Sequence, residues 1–422
     1  MKAEQVKLEW TDGNSIRLLQ NGADFFPALC AAIDAARFSV HLETYIFMLD
    51  RTGSRVLECL TAAARRGVKV RVVLDGFGSA MNVDAVRAGL LEAGAQCRIF
   101  RPEPRWFARL IPSRSRLRRL HRKVTIVDGR IAFIGGINVI DDYDDLDPTD
   151  GISAPRFDFA VQVEGPLVTD AAYAQDLLWV RLNWARLRRH PRDWSRMRLT
   201  KPHHAPVAPC GTLRAALVLR DNLRYRQTFE RAYLYGITQA RRDILIANAY
   251  FFPGRQFRRA LAKAAARGVR VRLLLQGEPD MLVAQLAASM LYDYLIDAGV
   301  QIFEYCKRPL HAKVACVDDD WSTVGSSNLD PLSLALNLEA NVVARDTGLN
   351  AALRASLERL IAEDCRPVQR GPASRRRLRR LWVGVVVFHF LRRFPAWAGA
   401  LPAHKPRLRT IIDGSPGEGE AA

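Results

Sequence analysis

Apolar residues fall along this chain in short runs, and the runs come in the same order twice. Val124-Thr125-Ile126-Val127 and Val314-Ala315-Cys316-Val317 are alternating or wholly apolar and predict buried β-strands. Each ends at a turn signal, Asp128-Gly129 in one copy and Asp318-Asp319-Asp320 in the other. Second runs follow, Ile131-Ala132-Phe133-Ile134 and Trp321-Ser322-Thr323-Val324, so each copy predicts a hairpin. Upstream, Ala-rich helical stretches end on basic residues and stop at Gly67 and Gly268. Strands begin at once, at Val72-Val73-Leu74 and Leu273-Leu274-Leu275, and a further helix leads to Ala93-Gly94 and Ala298-Gly299. Strand–helix–strand–helix order predicts an α/β sandwich in each half, the halves meeting face to face about a pseudo-twofold axis. Matching Glu43-Thr44-Tyr45-Ile46-Phe47 to Asn248-Ala249-Tyr250-Phe251-Phe252 sets Tyr45 opposite Tyr250.

The hairpins carry polar residues at identical spacing. After His121 and after His311, a Lys follows at two residues (Lys123, Lys313), an Asp at seven (Asp128, Asp318) and an Asn at seventeen (Asn138, Asn328). Between them stand Gly135-Gly136 and Gly325-Ser326, where backbone can approach a ligand closely. Residues two apart on a strand share a face, so each His and its Lys point the same way. Satisfied core histidines are the plain alternative, but a pattern repeated in six positions argues against it. An imidazole with an ammonium and an amide beside it suits phosphate chemistry: the Lys and Asn hold oxygens while the His attacks or carries a proton.

These are the HxKxxxxD motifs, with trailing GGxN and GSxN segments, and the chain resembles the phospholipase D superfamily. Within it the chain is similar to bacterial cardiolipin synthases, and among those to the cardiolipin synthase B group. Supporting stretches include Gln276-Gly277-Glu278-Pro279-Asp280, Gly325-Ser326-Ser327-Asn328-Leu329-Asp330-Pro331, Asn337-Leu338-Glu339-Ala340-Asn341 and Phe388-His389-Phe390-Leu391. The resemblance implies two phospholipase D-like α/β/α domains and ping-pong phosphatidyl transfer to phosphatidylglycerol through a phosphohistidine. It implies catalytic roles for His121, Lys123, Asp128, His311, Lys313 and Asp318, with His121 the nucleophile and His311 the acid/base, an assignment open to reversal. Lys123, Lys313, Asn138 and Asn328 would hold phosphate. Carboxylates that fix the histidine tautomers are expected at Asp158 and Glu339, one after each motif. No cofactor and no metal are implied, the lysines supplying the positive charge.

Bulk properties narrow the setting. The 422 residues suffice for two domains, and a net charge of +19 calls for an anionic partner, nucleic acid or an acidic membrane. The seven cysteines are scattered, with no CxxC pair, which suggests neither zinc nor a disulfide frame and fits a reducing compartment. The first residues, Met1–Gln5, are polar and read as lacking a signal peptide. The expected division is a first domain over 1–185, a linker over 186–211, a second domain over 212–365 and a basic tail over 366–422.

Three segments break the internal symmetry. Gly94 lies 27 residues before His121, whereas Gly299 lies 12 before His311. The excess mixes Arg101, Arg105, Arg109, Arg114, Arg116, Arg118 and Arg119 with Trp106, Phe107, Leu110 and Ile111, as an interfacial segment would. An acidic run, Asp141-Asp142-Tyr143-Asp144-Asp145-Leu146-Asp147, lacks cation-loop spacing and reads as a solvated lid. From Arg366 to Arg409 there are twelve Lys/Arg and no Asp or Glu, around the apolar stretch 381–391. Eleven helical residues span about 16 Å against about 30 Å of hydrocarbon, so this stretch can lie in one leaflet but not cross. Trp382 and Trp397 would sit near headgroups. The tail separates the readings. A tandem-HKD nuclease would use the same histidines on a nucleic-acid backbone but has no use for an apolar segment bracketed by arginines. A non-catalytic membrane scaffold would tolerate loss of a motif residue, and both motifs are complete. An anionic phospholipid membrane is therefore the expected partner, at its cytoplasmic face and peripherally, with no nucleic acid.

Overall fold

A computed structural model describes residues 8–102, 118–143, 155–189, 206–221, 227–277, 292–307, 309–330 and 336–369. The core of the basic insertion (103–117), most of the acidic run (144–147), the middle of the expected linker (190–205) and the tail from 370 lie outside the described residues.

The first half runs β1 (Trp10–Gln20), α1 (Asn21–Asp34), β2 (Ser39–Thr44), α2 (Arg51–Arg65), β3 (Lys69–Asp75), α3 (Val83–Glu92), β4 (Gln96–Phe100), β5 (Lys123–Val127), β6 (Ile131–Gly135), β7 (Phe159–Glu164) and α4 (Leu167–Arg189). The second runs β8 (Leu213–Arg220), α5 (Thr228–Gln239), β9 (Asp243–Asn248), α6 (Arg255–Ala266), β10 (Arg270–Gln276), β11 (Gln301–Tyr305), β12 (Lys313–Val317), β13 (Trp321–Gly325), β14 (Glu339–Arg345), α7 (Thr347–Asp364) and β15 (Cys365–Pro367). The predicted hairpins are β5–β6 and β12–β13, and the Ala-rich helices are α2 and α6. α2 starts where Asp50 accepts the Gly53 N–H at 2.7 Å, a side-chain cap that its orphan donors require.

All strands join one sheet in the order β15-β11-β10-β9-β12-β13-β14-β8-β1-β7-β6-β5-β2-β3-β4. Apart from β15, this order is a mirror image about the β8–β1 pair, so each half repeats the other strand for strand. The alternation of apolar residues sorts the faces. Val40, Leu42, Val70, Val72 and Leu74 pack under α1 and α2 in a core belonging to the first half. Ile244, Ile246, Val271 and Leu273 do the same under α5 and α6. The opposite faces contribute to one shared core, in which Ile126, Ile134 and Val161 meet Val314, Val324 and Val342 with α4 and α7. The halves are thus held by burial of apolar surface common to both, the dominant favourable term in such packing.

Pairing places two expected boundaries differently. α4 continues through Arg189, four residues into the expected linker, and β15 pairs Arg366 with Glu304 and Pro367 with Phe303, beyond the expected end of the second domain. The match of Tyr45 to Tyr250 is one residue out. Glu43 pairs with Val124, and Ala247 pairs with the equivalent Val314, so Ala249 occupies the place of Tyr45. Like residue types at adjacent positions had hidden the slip. Among the described residues no helix is long and apolar enough to cross a membrane.

Candidate active site

Each histidine precedes the first strand of its hairpin, at the seam between halves. The backbone fixes both across that seam. The His121 N–H donates to Leu338 O at 3.0 Å, and the His311 N–H donates to Phe157 O at 2.8 Å. Leu120 bridges Leu338, and Phe157 bridges Leu310, so each motif is paired to the chain that leads to the other half's carboxylate.

Those carboxylates are exchanged. His121 Nδ1 lies 3.0 Å from Glu339 Oε2 and 3.1 Å from Ser326 O, both in the second half. His311 Nδ1 lies 2.6 Å from Asp158 Oδ2, in the first half. With neutral rings, each Nδ1–H donates to its carboxylate and each Nε2 keeps a lone pair for chemistry. The structure thus brings both expected carboxylates to the histidines, each beside the ring of the opposite motif. Ser326 Oγ donates to Glu339 Oε2 at 2.6 Å and accepts from the Ala340 N–H at 3.1 Å, fixing that side chain. The equivalent residue in the first half is Gly136, where an added Cβ would stand 2.3 Å from Asp158 Oδ1. The Gly-Gly and Gly-Ser pairs therefore match the carboxylates behind them.

Lys123 Nζ donates to His121 O at 2.9 Å, and Lys313 Nζ donates to His311 O. Both lysines and both carboxylates are buried. Burial pushes Lys123 down to about 7 and Lys313 down to about 8, against the opposing pull of Glu339 and Asp158. Burial likewise lowers both imidazoles. His121 is partly relieved by Glu339, whereas His311 falls well below its usual value because Lys313, Lys123, Arg156 and His121 add to the effect. His121 itself contributes to that fall, so the two rings share one electrostatic site. Burial raises Asp158 to about 6. It works to raise Glu339 too, but His121 and Lys123 outweigh it and hold that carboxyl below its usual range. Burying two ammonium groups beside two imidazoles is costly, and the two buried carboxylates offset part of that cost.

Asn138 and Asn328 are buried two residues beyond Gly136 and Ser326. Asn138 Oδ1 accepts the Ile46 N–H at 3.2 Å, so one side of its amide holds the chain after β2. That chain carries Tyr45, whose ring stands edge-on to His121 with centroids 5.0 Å apart and lies 5.4 Å from Lys123 Nζ.

Asp128 and Asp318 stand apart from the histidines and lysines with which they were expected. Each lies five positions along the strand from its lysine, a reach of about 16 Å. Their carboxylates instead accept the N–H groups of Arg37, Phe38 and Ser39, and of Arg241, Arg242 and Asp243, ahead of β2 and β9. Both residues adopt left-handed backbone, φ 52° and 46°, which Asp tolerates better than most side chains. Burial works to raise them, but those backbone donors win and hold both below the ordinary carboxylate value. The motif's Asp ties the hairpin turn to the neighbouring strand, at the end of the sheet remote from the histidines.

Tyr45, Arg156, Ser326 and Asp75 carry no role in the sequence reading. Asp75 is fully buried at the end of β3 and accepts the Leu120 N–H at 2.8 Å, along with those of Phe77 and Gly78. An acid closing an apolar strand just before Gly76-Phe77-Gly78 was the available signal.

Comparison with known proteins gives this geometry its family. A family model described as "Cardiolipin synthase, PLD-like domain" matches residues 29–143 and 233–361. Cardiolipin synthase B of Escherichia coli K12 is 46% identical over 407 residues, covering 96% of this chain and 94% of that one. A cardiolipin synthase of Clostridium perfringens is 30% identical over 358 residues, covering 84% of this chain and 71% of that one. The crystal structure of phosphatidylserine synthase from Haemophilus influenzae superposes with a TM-score of 0.65 at 13% identity, covering 94% of this chain and 98% of that chain, a likeness of fold. With both motifs complete and the match spanning nearly its whole length, the chain belongs to the phospholipase D-like cardiolipin synthase family.

Proposed function

We infer that this protein is a cardiolipin synthase that moves a phosphatidyl group from one phospholipid to the hydroxyl of phosphatidylglycerol. The observation that carries the reading is the reciprocal pairing of His121 with Glu339 and His311 with Asp158 around two buried lysines. In the first step His121 Nε2 attacks the donor phosphorus. The bond to the head-group oxygen breaks, and His311, protonated as the anionic donor fills the site, gives its proton to the departing alkoxide. Glu339, held ionised, supports the positive charge that His121 acquires. In the second step the acceptor hydroxyl yields its proton to His311 as its oxygen attacks phosphorus, and His121 leaves. The proton count closes. With phosphatidylglycerol as donor as well, the products are cardiolipin and glycerol. Lys123, Lys313, Asn138 and Asn328 hold the phosphoryl oxygens, whose charge spreads in the transition state.

The same reading assigns residues 370–409, with their apolar stretch and arginines, to peripheral attachment on an anionic membrane, where each basic residue contributes up to about 1 kcal/mol. The test is incubation with vesicles containing labelled phosphatidylglycerol, products resolved by mass spectrometry, beside a plasmid-nicking assay. Labelled cardiolipin and glycerol with intact plasmid are expected. Nicked plasmid without cardiolipin overturns the reading in favour of a nuclease.

A further inference from the structure

The two motif lysines stand at matching places in different surroundings. Lys123 Nζ lies over the face of the Tyr45 ring, 5.4 Å from its centroid, and the same ring stands 5.0 Å from that of His121. At the place of Tyr45 the second lobe has Ala249, so Lys313 meets no ring from there. An aromatic face carries negative charge in its quadrupole and attracts a cation, more strongly where water is kept away. Lys123 is buried.

The chain around the ring is pinned. Tyr45 O accepts the Ser79 hydroxyl at 3.0 Å, and Ser79 Oγ accepts the Phe47 N–H at 3.0 Å. Asn138 Oδ1 accepts the Ile46 N–H between them. Gly78 packs against the ring itself, where an added Cβ would stand 2.8 Å from two ring carbons.

Among the described residues, Glu339, Asp158 and Asp75 favour the ammonium form of Lys123, while Lys313 and the two imidazoles, when protonated, oppose it. Burial outweighs the acids and brings Lys123 down to about 7. Each acid already has a partner: Glu339 meets His121, Asp158 meets His311, and Asp75 accepts the Leu120 N–H. One N–H of Lys123 goes to His121 O at 2.9 Å. A carboxylate set against the ammonium would occupy the donors that a phosphate needs. A ring face supports the charge and leaves those donors to the substrate.

We propose that Tyr45 is a positioning residue for Lys123: its ring face keeps that side chain an ammonium turned to the phosphoryl oxygens, with no counter-anion for the substrate to displace. The role belongs to the phosphate-holding set of the reading above and rests on it.

Substitutions separate the ring face from the hydroxyl and from bulk. Tyr45→Phe keeps the face, and Tyr45→Leu keeps apolar bulk without it. The first readout is the alkaline limb of the kcat/KM profile for cardiolipin formation, whose position does not depend on the amount of folded enzyme. Tyr45→Leu should move that limb about one unit toward acid, and Tyr45→Phe should leave it in place. Pentafluorophenylalanine at position 45 keeps the shape of Phe but empties its face of negative charge, so it should move the limb as Leu does. The second readout is affinity for inorganic phosphate by titration calorimetry. Relative to wild type, Tyr45→Leu should bind nearly equally at about pH 5.5, where the lysine is charged in both, and about tenfold more weakly at about pH 8.5. A limb unmoved in Tyr45→Leu and in the fluorinated variant, or moved equally in Tyr45→Phe, overturns the proposal. So does phosphate binding weakened alike at both pH values, which a merely structural residue would give. A wild-type protein that makes no cardiolipin yet shows this phosphate pattern overturns the function above and supports the role of the ring.

Discussion

In the first lobe the residue ahead of the motif histidine is tethered to a buried carboxylate, Asp75; in the second the tether is the neutral amide of Gln276, whose Oε1 accepts the Leu310 N–H. Strand order, hairpins, lysines and turn aspartates repeat between the lobes, while other groups around the histidines differ. Tyr45 faces His121 where the second lobe has Ala249. Glu339 is held ionised by His121, whereas burial lifts Asp158 to about 6. The duplicated frame fixes where two imidazoles stand; its departures from symmetry give otherwise equivalent rings unlike surroundings.

The largest break in the comparison should come from the exchanged carboxylates. Glu339→Gln and Asp158→Asn preserve size but remove the charge that supports an imidazolium, and each should lower kcat for transfer by about 10²–10⁴-fold. Wild-type turnover in either variant would mean that its histidine needs no partner. A smaller effect is expected from pH. Asp158 must be ionised, which holds above about 6, and the lysines must be charged, which holds below about 7 for Lys123 and about 8 for Lys313. The profile of kcat/KM, which reports the free enzyme, should therefore peak near neutrality and fall about tenfold per unit beyond each limb. A flat profile between 5 and 9 would show that these groups do not govern the reaction.

The smallest effect on catalysis should come from the turn aspartates. Asp128→Ala and Asp318→Ala should each cost about 1–3 kcal/mol of stability, read as a shift in urea midpoint, with kcat per folded molecule kept. Both carboxyls titrate below their unfolded value. Their contribution is thus complete above the ordinary carboxylate range and is lost as pH falls through the folded values. Loss of turnover without loss of stability would return these residues to the active site.

Local patterns made the frame readable. Period-two apolar runs, turn residues and Gly caps depend on neighbours in sequence, and they located the hairpins, α2, α6 and the histidine–lysine pairs. What they left out lies in contacts between distant residues. Asp158 and Glu339 were found by position after each motif, but their exchange joins residues 153 and 218 apart, which no local pattern encodes. The motif's Asp looked catalytic because spacing along a strand does not say which end of the sheet a residue reaches. Tyr45 was matched to the wrong partner because one tyrosine follows the other's equivalent by a single residue, and register decides which one meets the imidazole.

The exchange of Asp158 and Glu339 has a consequence for how the protein is made. While synthesis is still short of Glu339, His121 has been made without the carboxylate it meets in the folded chain, and His311 meets Asp158 only across the seam between lobes. A nascent or clipped chain that ends before Glu339 therefore holds neither histidine–carboxylate pair complete, because each pair draws one member from each lobe.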